Sequence, residues 1–462
     1  MSGEDPAAAA SAGWSPTRLV LAGVGHANLE VLRRLSSRGL AGVDLTVISP
    51  GPLHLYSGMV PGYLRGTYRV EEIAVEVAPL VRGAGGRLLL GRAVGLDPGR
   101  RLVKVAEAAD GGAAEEGGAA EAADGGVGVG GGVREVPYDL VAFAVGSDAV
   151  GAAAASARGG GAVLSCKPIG RAIELRRRLE LLAGEGQPPA TVAVVGGGAA
   201  GVEIALAAAG RLGSSAAGRL GAQAAGGLET AAAGHHVFLL EAGPTLLADR
   251  SPRLRRRAEQ VLKRRGVEVH IGSKVVEVSP PGEAAAPPGR AVLRLSSGDE
   301  ISCNLVVWVT AATGWPLFRE AGLPLDDRGF LLVDDALRSV ADPRVFAAGD
   351  CATLAASPGT AKAGVYAVRE GPILARSLHA AVAGAGEQAP RYRPQRGFLV
   401  ILNTGDGRAL LSYKGFVSYS RWAFRLKDRI DRRFVAKYRR RRQEESTGKT
   451  GEERRDGSSG GI

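Results

Sequence analysis

Three short stretches hold residue types that can bind a nucleotide cofactor. In Val345-Phe346-Ala347-Ala348-Gly349-Asp350 an apolar run ends on glycine and a bare carboxylate. Gly196-x-Gly198-x-x-Gly201 joins the aliphatic run "ATVAVV" to the helix-forming run "VEIALAAAGRL". In that context the first glycine makes a tight turn, the second lets backbone approach a pyrophosphate, and the third allows close helix–strand packing. The phosphates then face the positive end of the helix. Glu241 closes the next apolar run, "HHVFLLEAG", where a carboxylate accepts ribose hydroxyls and repels a 2′-phosphate, so NADH is expected over NADPH. Its distance from Gly201 exceeds the usual spacing of about twenty, and a Gly/Ala/Ser insert at 213–234 accounts for the excess.

A second glycine turn is less complete. Gly23-Val24-Gly25-His26-Ala27-Asn28 keeps two glycines and puts Asn28 at the third position, while Ser49 stands where the acid after "LTVI" is expected. Taken with Gly349-Asp350 it reads as an FAD site, with Asp350 accepting a ribityl hydroxyl and nearby backbone N–H groups holding a phosphate oxygen. Gly146, which ends "YDLVAFAVGS", belongs with these glycine-terminated strands.

The elements that must position these residues alternate. "TRLVLAG", the helix pattern 26–39 and "VDLTVIS" form one β-α-β unit, and the theme restarts at 190. Strands that all close on glycine indicate an α/β fold with two Rossmann-like doubly wound dinucleotide-binding domains, the second inserted in the first, plus a small C-terminal α+β region. The expected limits are 17–165 with 300–385 for the FAD domain, 186–299 for the NAD domain and 390–443 for the C-terminal region. Disordered ends are expected at 1–16 and 444–462, and the Gly/Ala-rich tract before Val133 reads as a loop insertion.

Composition narrows the function classes. No apolar run approaches the roughly 18 residues of a membrane span, and no secretory signal pattern opens the chain, so an intracellular protein, peripherally membrane-bound at most, is expected. The three cysteines, Cys166, Cys303 and Cys351, form no CxxC or CxxxxC pair, and the six histidines are scattered. That argues against a disulfide framework, a redox disulfide or a metal site. The net charge is +11, and 421–442 concentrates it, with eleven Lys/Arg against two Asp. There Trp422, Leu426, Ile430, Phe434 and Tyr438 recur at a spacing of four. Such a helix suits an anionic membrane interface, and it also suits packing on the body of the protein with the cations solvated. Nucleic acid is not expected as a partner.

"LYSGMVPGYLRGTY" (55–68), "KAGVYAVREGP" (362–372) and "PQRGFLVILNTGDGRA" (394–409), in that order, carry a family resemblance. The chain resembles the two-dinucleotide flavoprotein reductases, among them the type II NADH dehydrogenases. It is most similar to the NADH-dehydrogenase-like module fused to some selenophosphate synthetases. The resemblance spans about 18–440 and leaves the synthetase out, so selenium chemistry is not implied. It implies FAD and NADH as cofactors and roles for two more residues, Glu203 and Lys362, near the nicotinamide and the flavin ring. Either would be the proton donor for a small acceptor, a quinone by default. A sulfide:quinone-type reductase and a non-enzymatic flavin sensor or nucleic-acid-binding flavoprotein remain the alternatives.

Overall fold

The computed structural model describes residues 15–107, 132–213, 234–280, 290–385 and 389–439. The expected disordered tail, almost all of the disordered lead and most of the Gly/Ala-rich tracts lie outside the described residues. The chain folds into two compact units. One comprises Met1–Pro52, Val77–Leu175 and Val275–Phe398; the other comprises Leu53–Glu76, Arg176–Lys274 and Leu399–Ile462.

In the first unit a seven-stranded sheet runs in the order Val345–Ala347, Leu140–Phe143, Thr17–Ala22, Val43–Ser49, Arg87–Asp97, Leu102–Glu107, Val133–Pro137. The first five strands are parallel and the last two antiparallel. Leu19, Val20, Leu21 and Ala22 are all buried, as a central parallel strand covered on both faces requires. Parallel pairing places the C-terminal ends of these strands, and with them Gly23, Ser49 and Gly349-Asp350, along one edge of the sheet. In open α/β sheets that edge is where ligands bind.

Two helices brace the edge. His26–Arg38 starts at Gly25 and stops at Gly39, which adopts φ 66°. Helix Gly364–Val382 crosses it so closely that a Cβ on Gly371 would lie 2.8 Å from the Cβ of Glu30. Glu30 itself is buried, with its carboxylate held by Arg33 and Arg34 at 2.9 and 2.8 Å.

In the second unit Thr191–Val195, His236–Glu241 and Val267–Ile271 pair in parallel. Register runs without a break from Thr191↔His236 to Val195↔Leu240, so the insert between helix Ala199–Arg211 and strand His236–Glu241 leaves the pairing intact. Helix Pro252–Arg264 is capped by the Ser251 hydroxyl, which accepts from Leu254 N at 3.3 Å.

The division departs from the expected boundaries in three places. Segment 53–76 joins the second unit: Arg176 donates to the carbonyls of Tyr63 and Tyr68 at 2.9 and 2.8 Å, and Tyr56 stacks on Phe434 at 4.2 Å. The antiparallel strands Val275–Ser279, Ala291–Leu295 and Glu300–Cys303 belong to the first unit. From Leu399 onward the C-terminal region, three antiparallel strands and helix Arg421–Arg439, is part of the second unit rather than separate.

The apolar stripe expected on that helix is not its buried face. Ala423, Lys427, Asp431, Val435 and Tyr438 are buried, while Trp422 and Ile430 are 59% and 44% exposed. An α-helix turns once in about 3.6 residues, so positions four apart drift by some 40° per step. The stripe therefore winds from solvent at Trp422 to the interior at Tyr438.

Candidate functional site

In the first unit the glycine turn is defined by one carbonyl. Gly25 N donates to Ala144 O at 3.0 Å, and a Cβ on Gly25 or Gly23 would lie 2.4 or 2.8 Å from that same oxygen. No other residue type fits, and Gly23 also takes φ 77°. Asn28, fully buried, locks the turn by donating to Gly23 O at 2.7 Å and Ala142 O at 3.0 Å. At 0% exposure its side chain is engaged wholly with the loop and the neighbouring strand. Ser49 ends its strand nearly buried and donates to Gly51 O at 2.7 Å. Gly146, at φ 69°, has open space where a side chain would stand.

Gly349 and Asp350 follow strand Val345–Ala347 as a single 3₁₀ turn, with Gly349 at φ 77°. Asp350 is met by two residues that nothing in the spacing marked out. Lys167 Nζ donates to Ser147 Oγ at 2.5 Å and lies 3.5 Å from Asp350 Oδ2, and Ser147 reaches the same oxygen at 3.4 Å. His26, at the start of the helix after the turn, is held down at about 4 by burial, against the attraction of Asp350, and is neutral at pH 7.

Asp350, Thr353, Thr360, Lys362, Tyr366 and Glu370 line one cleft of the first unit. The Lys362 ammonium donates to Ala352 O and to Thr353 Oγ1, the latter at 2.8 Å, and lies 4.1 Å from the Phe330 ring centroid. Burial lowers its proton affinity below that of a free lysine. Glu370 was not foreseen, although its spacing of four from Tyr366 sets both on one helix face. It accepts from Gly349 N at 2.6 Å, and burial pushes its carboxyl up to about 7.

In the second unit Gly201 passes so near Gly196 that a Cβ would sit 1.8 Å from the Gly196 carbonyl oxygen. Gly196 takes φ 118°, and helix Ala199–Arg211 opens at Gly198. Glu241 sits at its strand end with one oxygen accepting from Gly197 N and the other from Gly243 N, both at 2.6 Å. A carboxylate has about four acceptor directions, so it remains able to receive hydroxyls. Glu203, two residues beyond Gly201, accepts from Asn403 N at 2.7 Å, and burial pushes it up to about 7.

Residues 17–371 match the family described as pyridine nucleotide-disulphide oxidoreductase. The chain belongs to that family. An NADH dehydrogenase-like protein of Mycobacterium tuberculosis is 32% identical over 183 residues, 39% of this chain and 40% of that protein. This chain therefore spans about two fifths of the length of the first curated relatives it matches. A type II NADH:quinone oxidoreductase of the same organism is 24% identical over 426 residues, 88% of this chain and 81% of that one. The structure of NDH2 from Plasmodium falciparum in complex with NADH superposes with TM-score 0.65 at 13% identity, covering 91% of this chain and 98% of that one. That likeness is one of fold.

The Glu370 carboxyl makes stability depend on pH. It titrates at about 7 in the folded protein against 4.5 for the free group. Between those values the folded state binds more protons, so stability is full below the lower value and falls as pH rises through the higher. Glu370→Gln, which still accepts from Gly349 N, should flatten that fall. At pH 8 it should leave the variant more stable than wild type by about 1–3 kcal/mol in denaturant unfolding. Parallel stability curves for the two proteins would contradict the assignment.

Proposed function

We propose that the protein oxidises NADH through FAD and passes the electrons to a quinone. The observation that carries the reading is the pairing, in each unit, of a glycine turn too tight for any side chain with a strand-end carboxylate: Asp350 in one, Glu241 in the other. The cradle at Gly23 and Gly25 fits a dinucleotide phosphate, and FAD bound there supplies a two-electron acceptor. Gly23, Gly25, Gly146 and Gly349 would offer close backbone approach, with Asn28 and Ser49 shaping the loops around it. Asp350 would receive a ribityl hydroxyl, and Lys167 would give its charge to the pyrophosphate. Gly196, Gly198 and Gly201 would hold the NADH phosphates at the helix start, and Glu241 its ribose.

Reducing a quinone to its quinol takes two electrons and two protons, of which NADH supplies the electrons and one proton. The protein's part is then to hold and move a proton, and two groups suit it. Lys362 keeps its ammonium aimed at Ala352 O and Thr353 Oγ1, and Glu203 exchanges a proton near neutrality. Relatives named as NADH:quinone oxidoreductases support the quinone as acceptor. The finer likeness, to the module fused to some selenophosphate synthetases, is supported by the three blocks quoted above. Sulfide:quinone chemistry is less well served. Burial pushes the Cys166 thiol up to about 12 and Cys351 up to about 11, and Cys351 donates to the Ala348 carbonyl at 3.3 Å. Both stay protonated, and thiolate attack needs the ionised form.

Membrane docking belongs to the same proposal. No helix among the described residues is long and apolar enough to cross a membrane. The exposed side of helix Arg421–Arg439 carries Trp422 and Ile430 among Arg421, Arg425, Arg429 and Arg433, and the nearby hairpin exposes Tyr413 and Phe416. Cations beside anionic lipid add about 1 kcal/mol each, enough for peripheral attachment that brings the acceptor from the lipid phase.

Nucleotide choice tests Glu241. Wild type should favour NADH in kcat/KM for quinone reduction, and Glu241→Ser should narrow that preference by about tenfold, or about 1.4 kcal/mol. A wild type that prefers NADPH refutes the role of this carboxylate. For docking, vesicles containing anionic lipid should sediment the wild type at low salt but not at high salt. Replacing Trp422 and Ile430 by alanine should weaken that capture with no loss of thermal stability, and unchanged capture would end the idea.

A further inference from the structure

The C-terminal helix buries two charges where its own sequence offers apolar side chains. Lys427 and Asp431 are 9% and 4% exposed and form an ion pair at 2.8 Å. Desolvating such a pair costs more than a single contact returns unless further bonds hold it. Attachment of the helix does not need it, because Ala423, Val435, Tyr438 and the Tyr56–Phe434 stack already dock this face. The further bonds are present: Lys427 Nζ donates to Gly58 O at 2.7 Å, and the Tyr56 hydroxyl donates to Asp431. Both of these partners lie in the "LYSGMVPG" block, for which the nucleotide sites provide no role.

The same segment that holds Lys427 leads to Glu203: four residues beyond Gly58, a Cβ on Gly62 would stand 3.2 Å from Asn403 Nδ2. The Glu203 carboxylate accepts from Asn403 N at 2.7 Å, and Asn403 ends strand Val400–Asn403, against which the C-terminal helix packs. The charged groups that act on Glu203 are Lys427, which favours its ionised form, and Asp431, which opposes it. Both come from one helix face, one turn apart.

We propose that Lys427 and Asp431 are positioning residues that govern proton exchange at Glu203. Lys427 draws the proton off, Asp431 draws it back, and Tyr56 and Gly58 fix the pair in place. The inference rests on Glu203 taking part in the reaction proposed above, and it gives the C-terminal helix a task in the chemistry distinct from membrane docking. The proton moves only between Glu203 and the solvent or substrate; no bond to Lys427 or Asp431 is made or broken.

The test is a pH titration of the Glu203 carboxyl by ¹³C NMR of the full-length protein labelled at glutamate, with Glu203→Gln assigning the signal. Wild type should titrate near 7. Asp431→Asn leaves the cation unopposed and should lower the midpoint by about one unit, the smaller end of what one nearby charge produces. Lys427→Met should raise it by a similar amount, and Lys427→Arg should restore it. Because Lys427→Met alone strands a buried carboxylate, the double variant Lys427→Met/Asp431→Leu provides a folded control. Its midpoint should rise, since the stronger of the two influences is gone. A midpoint that stays put in folded Asp431→Asn and in the double variant overturns the proposal. Turnover of Glu203→Gln is measured separately: full quinone reduction by that variant would refute the catalytic part given to Glu203 without altering the titration result.

Discussion

The carbonyl of Ala144 sets the geometry of the first unit. It accepts from Gly25 and stands within contact distance of any Cβ at 23 or 25, so the chain can leave the central strand and enter its helix only as glycine. Everything at that edge of the sheet follows from this approach. Helix His26–Arg38 begins where the turn releases it, Asn28 is drawn inside to tie Gly23 to Ala142, and the exposed backbone is brought up to where a phosphate would lie. The second unit repeats the constraint with its own backbone, Gly201 against the carbonyl of Gly196. Two turns that exclude side chains leave room for two dinucleotides.

Around these turns each carboxylate is held by a cation or by backbone amides. Asp350 meets Lys167 through Ser147, Glu241 is held by two amides, and Glu370 sits under Gly349 with Lys362 lining the same cleft. Burial raises Glu370 and Glu203 alike to about 7, so one carboxyl in each unit can change its proton near neutral pH. The reaction proposed above, which moves electrons in pairs and protons singly, has use for such groups.

The features legible in the sequence are those for which backbone geometry dictates residue type. Gly23, Gly25, Gly196, Gly201 and Gly349 stand where a Cβ would clash or the backbone takes a positive φ, whereas Gly198, at φ −71° with open space beside it, is not so restricted, and Glu241 ends a strand whose register survives the insert. Partners brought together by tertiary folding left no such mark. Lys167 and Ser147 lie far from Asp350 in sequence, and segment 53–76 joins the second unit through contacts with Arg176 and Phe434. The C-terminal helix misled for a geometric reason. A spacing of four looks like a face, yet the buried row Ala423, Lys427, Asp431 and Val435 has the same spacing and lies one residue, about 100°, further round the helix.

The central claim is that one chain takes electrons from NADH onto FAD and hands them to a quinone. Anaerobic visible spectroscopy of the purified full-length protein tests it directly. The account predicts the two flavin absorbance bands before any addition, bleaching by one equivalent of NADH, and full recovery of the bands when a soluble quinone is added. Protein that carries no flavin, or flavin that NADH leaves unbleached, would contradict it.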